Sequence, residues 1–189
     1  MSLKGTRTEK NILTAFAGES QARNKYTYFA SKADKEGYKQ IAAIFIEAAE
    51  NEKEHAKRLY KLLIGGAIPA TAENLLDAAE GENAEHTSMY PGFEKVAREE
   101  GFNEIADIFK EIAEVEEEHE KRFRKLLQNI EDGTVFKKDK VVKWKCRNCG
   151  WRWRRLLPRW QVRTARSVPR CMSRGRCRKP RRAVPWRSA

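Results

Sequence analysis

Between residues 7 and 131, apolar side chains recur every three or four positions. Ile41, Ile44, Phe45, Ala48 and Ala49 form one such series, and Ile105, Ile108, Phe109 and Ile112 form another. That spacing places each series on one face of an α-helix. Breakers divide the stretch. Gly37 and Gly101 each mark a short turn, the run Gly65-Gly66-Ala67-Ile68-Pro69 suits a longer connection, and Asp132-Gly133 ends the last segment. The pattern predicts four helices, at 7–35, 38–64, 71–99 and 103–131, with Pro91 interrupting the third near Tyr90. Residues Glu36–Leu63 and Glu100–Leu127 agree at 17 of 28 positions at an offset of 64. The preceding segments echo each other more weakly, with Gly18-Glu19 against Gly81-Glu82 at an offset of 63. Two similar helix pairs imply a pseudo-twofold, all-α four-helix bundle.

Composition changes this picture at the C-terminus. The 189 residues carry a formal charge of +12, but residues 1–150 hold 25 basic and all 27 acidic residues. Residues 151–189 hold 13 Arg, one Lys and no acid. The chain is therefore not a uniformly basic nucleic-acid-binding domain, and nucleic acid is not an expected partner of the helical body. No run approaches about 18 apolar residues, so no membrane span is expected. The N-terminus lacks the apolar stretch of a signal peptide and all four Cys lie after residue 145, so a reduced, cytoplasmic protein is expected.

The chemistry lies inside the repeat. Each half contains Glu-x-x-His, as Glu52 and His55 and as Glu116 and His119. Residues at i and i+3 share a helix face, so each Glu and His can reach one metal ion. Both pairs continue the apolar stripes, which turns them inward. Glu19 lies in line with Ile12, Phe16, Tyr26 and Phe29, and Glu82 and Glu85 follow Leu75 and Ala78. Buried carboxylates in this number shift their pKa or bind cations. One Glu from each of two helices, with Glu-x-x-His from the other two, is the donor pattern of di-iron and di-manganese carboxylate bundles. Carboxylate and imidazole without Cys suit iron or manganese rather than structural zinc. Glu54, Glu117 and Glu118 read as surface residues. Glu85 breaks the internal symmetry, since its counterpart is Ala22. Tyr26 and Tyr90 each lie about two turns beyond a predicted ligand. Each phenol either donates a hydrogen bond to a ligating carboxylate or is a core aromatic with its hydroxyl at the surface.

The segments AFAGESQARNKYTYFA (15–30), ENEKEHAKRL (50–59), AEGENAEHTSMYPGF (79–93), EEEHEKRF (116–123) and KWKCRNCG (143–150) together resemble the rubrerythrins, over residues 3–150. The resemblance implies a ferritin-like domain with two non-haem irons, followed by a rubredoxin-like Fe(Cys)4 domain. It implies an NAD(P)H-linked peroxidase that reduces hydrogen peroxide to water in oxidative-stress defence. A rubredoxin or an NAD(P)H-dependent reductase would be the electron donor to a homodimer. By motif, Glu19, Glu52, Glu82, Glu85, Glu116 and His119 match ligand positions. His55 matches the residue that exchanges with a carboxylate when the iron changes oxidation state, and Glu85 matches that carboxylate. An iron-handling, ferroxidase-type protein without peroxide turnover is the alternative, and Glu85 and His55 favour the peroxidase.

The resemblance fails after Gly150. Cys146 and Cys149 are half of a rubredoxin-like knuckle, but Cys171 and Cys177 are not spaced as its second half. Two thiolates are two ligands short of a closed site, so a stable Fe(Cys)4 centre is not expected here. The expected organisation is a di-iron domain at 1–134, a half-knuckle at 135–150 and an aberrant Arg/Trp-rich tail at 151–189. The tail reads as an out-of-frame translation, with an arm for nucleic acid or anionic lipid as the functional alternative. Either way it is expected to be mostly disordered.

Overall fold

The structure, a computed structural model, describes residues 3–146, 152–155 and 183–185. The chain forms two compact units, Met1–Pro69 and Ala70–Ala189. The first is a hairpin of α1 (Arg7–Lys35) and α2 (Lys39–Leu63). The second contains α3 (Thr71–Ala84), a π-helical turn (Glu85–Met89), α4 (Tyr90–Glu99) and α5 (Asn103–Glu131). It also contains strands β1 (Val142–Cys146), β2 (Arg152–Arg155) and β3 (Ala183–Pro185). The four expected helices are present, the third as α3, the π turn and α4 in unbroken succession.

Local chemistry sets the helix ends. Thr6 Oγ1 accepts from the Glu9 amide at 3.1 Å, and the Glu9 carboxylate accepts from the Gly5 amide at 2.6 Å, so two otherwise unpaired donors are satisfied. At the end of α1, Gly37 takes φ +88°, its amide donates to Asp34 and that of Tyr38 to Ala33. The end of α4 repeats this at Gly101, φ +86°, with Arg98 and Ala97 as acceptors. This is the left-handed C-terminal cap that favours glycine.

Each hairpin closes on a seam of small residues. In the first unit Ala42, Ala49 and Ala56, seven apart on α2, are buried, as are Ala30 and Ala33 of α1. In the second Ala79, Ala97 and Ala106 are buried. Counting on from Ala106 by sevens, α5 has Ala113 and then Glu120 where α2 has Ala56. The larger apolar side chains lie to one flank: Ile41 and Ile44 are 47% and 58% exposed, and Ile105 and Ile108 are 45% and 52% exposed. Two helices share only one line of contact, so a hairpin alone leaves such a flank open.

The π turn accommodates one extra residue. Glu19 and Glu82 correspond at an offset of 63, but Tyr26 and Tyr90 correspond at 64. The Tyr90 amide donates to the Glu85 carbonyl, five residues back. Pro91 follows at once, and its missing N–H deprives the preceding turn of an α-helical donor, which favours the wider turn. Beyond it the two halves match again. Tyr26, Phe29 and Phe45 have ring centroids 6.3, 6.1 and 5.6 Å apart. Tyr90, Phe93 and Phe109 are 6.2, 6.1 and 5.6 Å apart in the same order. The insertion is therefore absorbed within one turn.

At the C-terminus, β1 pairs antiparallel with β2 on one side and β3 on the other. Trp144 of β1 is fully buried and stands opposite Trp153 and Pro185 in register. Residues 152–155 and 183–185 thus form strands inside the segment expected to be disordered. Strand pairing draws on backbone groups, which the composition of a segment does not reveal. Cys149, Cys171 and Cys177 and the rest of the tail lie outside the described residues. Among those described, no helix is long and apolar enough to cross a membrane.

A Cβ at Gly37 or Gly101 would meet no neighbouring atom, so its cost is conformational alone. Gly37→Ala and Gly101→Ala should each destabilise the protein by about 1–2 kcal/mol, by similar amounts, in urea unfolding followed by circular dichroism.

Candidate metal centre

Each unit gathers two carboxylates and an imidazole. In the first, Glu19 of α1 meets Glu52 and His55 of α2. In the second, Glu82 of α3 meets Glu116 and His119 of α5. In each trio one ligand atom per residue lies within 4.8 Å of the others. His55 Nδ1 is 2.8 Å from Glu52 and 3.8 Å from Glu19, while His119 Nδ1 is 2.5 Å from Glu116 and 3.7 Å from Glu82. The i, i+3 spacing on one helix makes the short contact, and the neighbouring helix supplies the longer one.

Electrostatics follow from this crowding. The hydrogen bond with Glu52 holds the Glu19 carboxyl above its ordinary range, helped by burial and the charge of Glu52. The same bond, with that to His55, holds Glu52 below it. Burial, then the hydrogen bond with Glu116, raises Glu82. Paired carboxylates that retain a proton are sites where a cation can replace that proton. In each unit two carboxylates and an imidazole, with no thiolate, fit iron or manganese rather than structural zinc.

Glu85 stands outside both trios, at the head of the π turn. Its charge nonetheless raises Glu82, after larger effects from burial and Glu116. Tyr90 is half-buried, and burial first, then Glu85, Glu116 and Glu82, holds its phenol proton more tightly. Tyr26 occupies the matching place against Phe29 and Phe45. Glu54 pairs with Lys57 at 2.9 Å, and Glu117 and Glu118 with Lys121 at 2.7 and 2.8 Å, all exposed as expected of surface residues. Cys146 ends β1, and its partner Cys149 lies outside the described residues.

One polar cluster has no counterpart in the expectations from sequence. Glu120 of α5 accepts from Asn83 at 3.1 Å and from Arg124 Nε at 2.6 Å, and lies 2.7 Å from His86 Nε2. These contacts, that with His86 foremost, hold the Glu120 carboxyl down at about 2. The signal available in the sequence was the departure of Glu120 from the alanine seam.

A helical chain with a Glu–Glu–His trio in each of two repeat-related helical hairpins has the donor set of the carboxylate-rich metal proteins of the ferritin-like class. Residues 10–127 match the family described as Rubrerythrin. The chain is 55% identical to the rubrerythrin of Porphyromonas gingivalis, over 79% of this chain and 80% of that protein. It is 56% identical to the rubrerythrin of Nitratidesulfovibrio vulgaris, over 79% and 84%. A solved structure of nigerythrin in a mixed-valence state aligns at 29% identity, over 82% of this chain and 81% of that one, with a TM-score of 0.34, a likeness too weak to bear on helix arrangement. The chain belongs to the rubrerythrin family, whose members carry a non-haem di-iron centre and are oxidoreductases of oxidative-stress defence.

Glu52→Ala and Glu116→Ala should each abolish loading of two metal ions per chain while leaving the helical signal intact, as judged by metal counting and circular dichroism. Glu19 and Glu82 titrate above their ordinary range, so below those values an incoming metal must displace a proton. Proton release on metal binding should therefore grow, and affinity fall, as the pH is lowered from neutral towards the carboxylate range. Calorimetry in buffers of different ionisation enthalpy measures both.

Proposed function

We propose that this protein is a di-iron peroxidase that reduces hydrogen peroxide to water. The observation that supports this most is the pair of repeat-related trios with matching distances, joined in the second half by an additional carboxylate, Glu85. Glu19, Glu52, Glu82, Glu85, Glu116 and His119 hold the irons in this reading. Glu52 and Glu116 stand at equivalent positions of the repeat, so each half would contribute the same carboxylate to the metals. Bound iron supplies the two electrons that, with two protons, convert one peroxide into two waters. By the family resemblance, His55 and Glu85 would be the alternative ligands of one iron, a neutral imidazole suiting the reduced metal and a carboxylate the oxidised one. The His55 side chain is 57% exposed. Tyr90, whose phenol proton is held more tightly by burial and by Glu85, Glu116 and Glu82, would orient a ligating carboxylate by donating a hydrogen bond to it. Reducing equivalents come from a rubredoxin or an NAD(P)H-dependent reductase, and the working form is a cytoplasmic homodimer.

The test is anaerobic iron reconstitution, reduction with dithionite and addition of peroxide. We expect two irons per chain and one peroxide consumed per di-iron centre without release of oxygen. Iron that oxidises with oxygen faster than with peroxide, or accumulates beyond two per chain, would favour the ferroxidase alternative. Turnover with a rubredoxin-dependent NAD(P)H system should be weak, because Cys146 and Cys149 alone do not close a thiolate site. A ferric-thiolate band at about one iron per chain would refute that expectation.

A further inference from the structure

Three departures from the internal repeat coincide on one short stretch. The π turn inserts a residue, Glu85 adds a carboxylate, and His86, inside the turn, contacts Glu120 on α5. In the first unit α1 runs unbroken through the equivalent stretch, Glu85 is matched by Ala22, His86 by Arg23, Glu120 by Ala56 and Arg124 by Tyr60. There the space beside the seam is an open cleft of about 350 Å³, lined by Phe16 and Tyr60 stacked 5.6 Å apart and by Ser20, Arg23, Asn24 and Ala56. In the second unit the polar cluster occupies that place. The His86 and Glu120 side chains are only 16% and 12% exposed, so their contact is shielded from solvent.

We propose that His86 and Glu120, with Asn83 and Arg124, form a clamp that fixes the π turn against α5 and so positions Glu85 for the metal. His86 adjoins Glu85 and Glu120 adjoins His119, so the clamp joins the backbones of two proposed ligands one residue from each. A π turn can revert to α-helical bonding by a one-residue slip, which would rotate Glu85 by roughly a third of a turn and misdirect its carboxylate. A directional contact from within the turn to the facing helix opposes that slip. Asn83 ties the turn before the π segment to the same carboxylate, and Arg124 holds the carboxylate from α5 itself. His86 and Glu120 are positioning residues and do not touch substrate. The proposal rests on the assignment of Glu85 as a ligand.

The test uses the full chain, metal-free, with two readouts. Amide hydrogen exchange at residues 85–90 reports the turn without any metal, and titration with Co(II) alone, followed by visible absorption, reports the binding steps. We expect His86→Ala to speed exchange at 85–90 about tenfold or more. It should also weaken, about tenfold or more, the Co(II) step that Glu85→Ala weakens, and leave the other step unchanged. His86→Gln, whose amide can donate to Glu120, should recover most of both. Should His86→Ala fail to fold, Glu120→Gln is measured in its place with the same expectations. Wild-type exchange at 85–90 in a folded variant overturns the clamp. Faster exchange with both Co(II) steps unchanged overturns its positioning role and leaves only a structural one. If Glu85→Ala itself leaves both Co(II) steps unchanged, it is the ligand assignment of Glu85 that falls, and the positioning role with it.

Discussion

Like charges brought together from neighbouring helices set the terms for the rest of this molecule. Glu19 with Glu52, and Glu82 with Glu116, bring carboxylates close enough that without a cation they compete for protons; Glu19 is held above its ordinary range chiefly by its bond with Glu52, and Glu82 by burial and then by Glu116. Such pairs oppose folding of the metal-free chain, and a bound divalent ion turns their repulsion into attraction. The surrounding architecture must then supply stability from elsewhere. It does so through alanine seams that let the helices of each hairpin approach closely, and through aromatic trios a few turns away.

The repeat doubles this arrangement, and its departures show what doubling alone does not provide. A strict twofold would give two identical trios. The additional carboxylate, Glu85, enters by way of one inserted residue, and an insertion in a helix normally rotates everything that follows. The π turn confines the rotation, so Tyr90, Phe93 and Phe109 repeat the geometry of Tyr26, Phe29 and Phe45 to within 0.1 Å in ring separation. Change at the site is thus separated from change in the core.

Much of this was legible in the sequence because it depends on local spacing. The four helices, the Glu-x-x-His faces, the surface roles of Glu54, Glu117 and Glu118 and the interruption near Tyr90 all follow from residues within about two turns of one another. The wider turn itself was also latent there, in the change of offset from 63 to 64 between the glutamates and the tyrosines. The contact of His86 with Glu120 was not legible. It spans 34 residues and depends on how two helices meet across a seam, which periodicity does not encode. The strands at 152–155 and 183–185 were missed for a related reason: their pairing with β1 rests on distant backbone groups, while the local signal was only an excess of Arg.

The Glu120 cluster is also the place where stability and specificity separate. Ala56 shows that this seam position can be filled by a methyl group, at no cost in desolvation. Shielded ionic clusters seldom stabilise a fold more than well-packed apolar side chains do, and removing one partner leaves the others uncompensated. What a histidine, an asparagine and an arginine around one carboxylate add is direction. They fix the rotation of one helix about its axis relative to another, where alanine fixes only their separation. A metal ligand carried on an inserted turn needs that rotational constraint, and the hairpin whose helix has no insertion lacks the cluster.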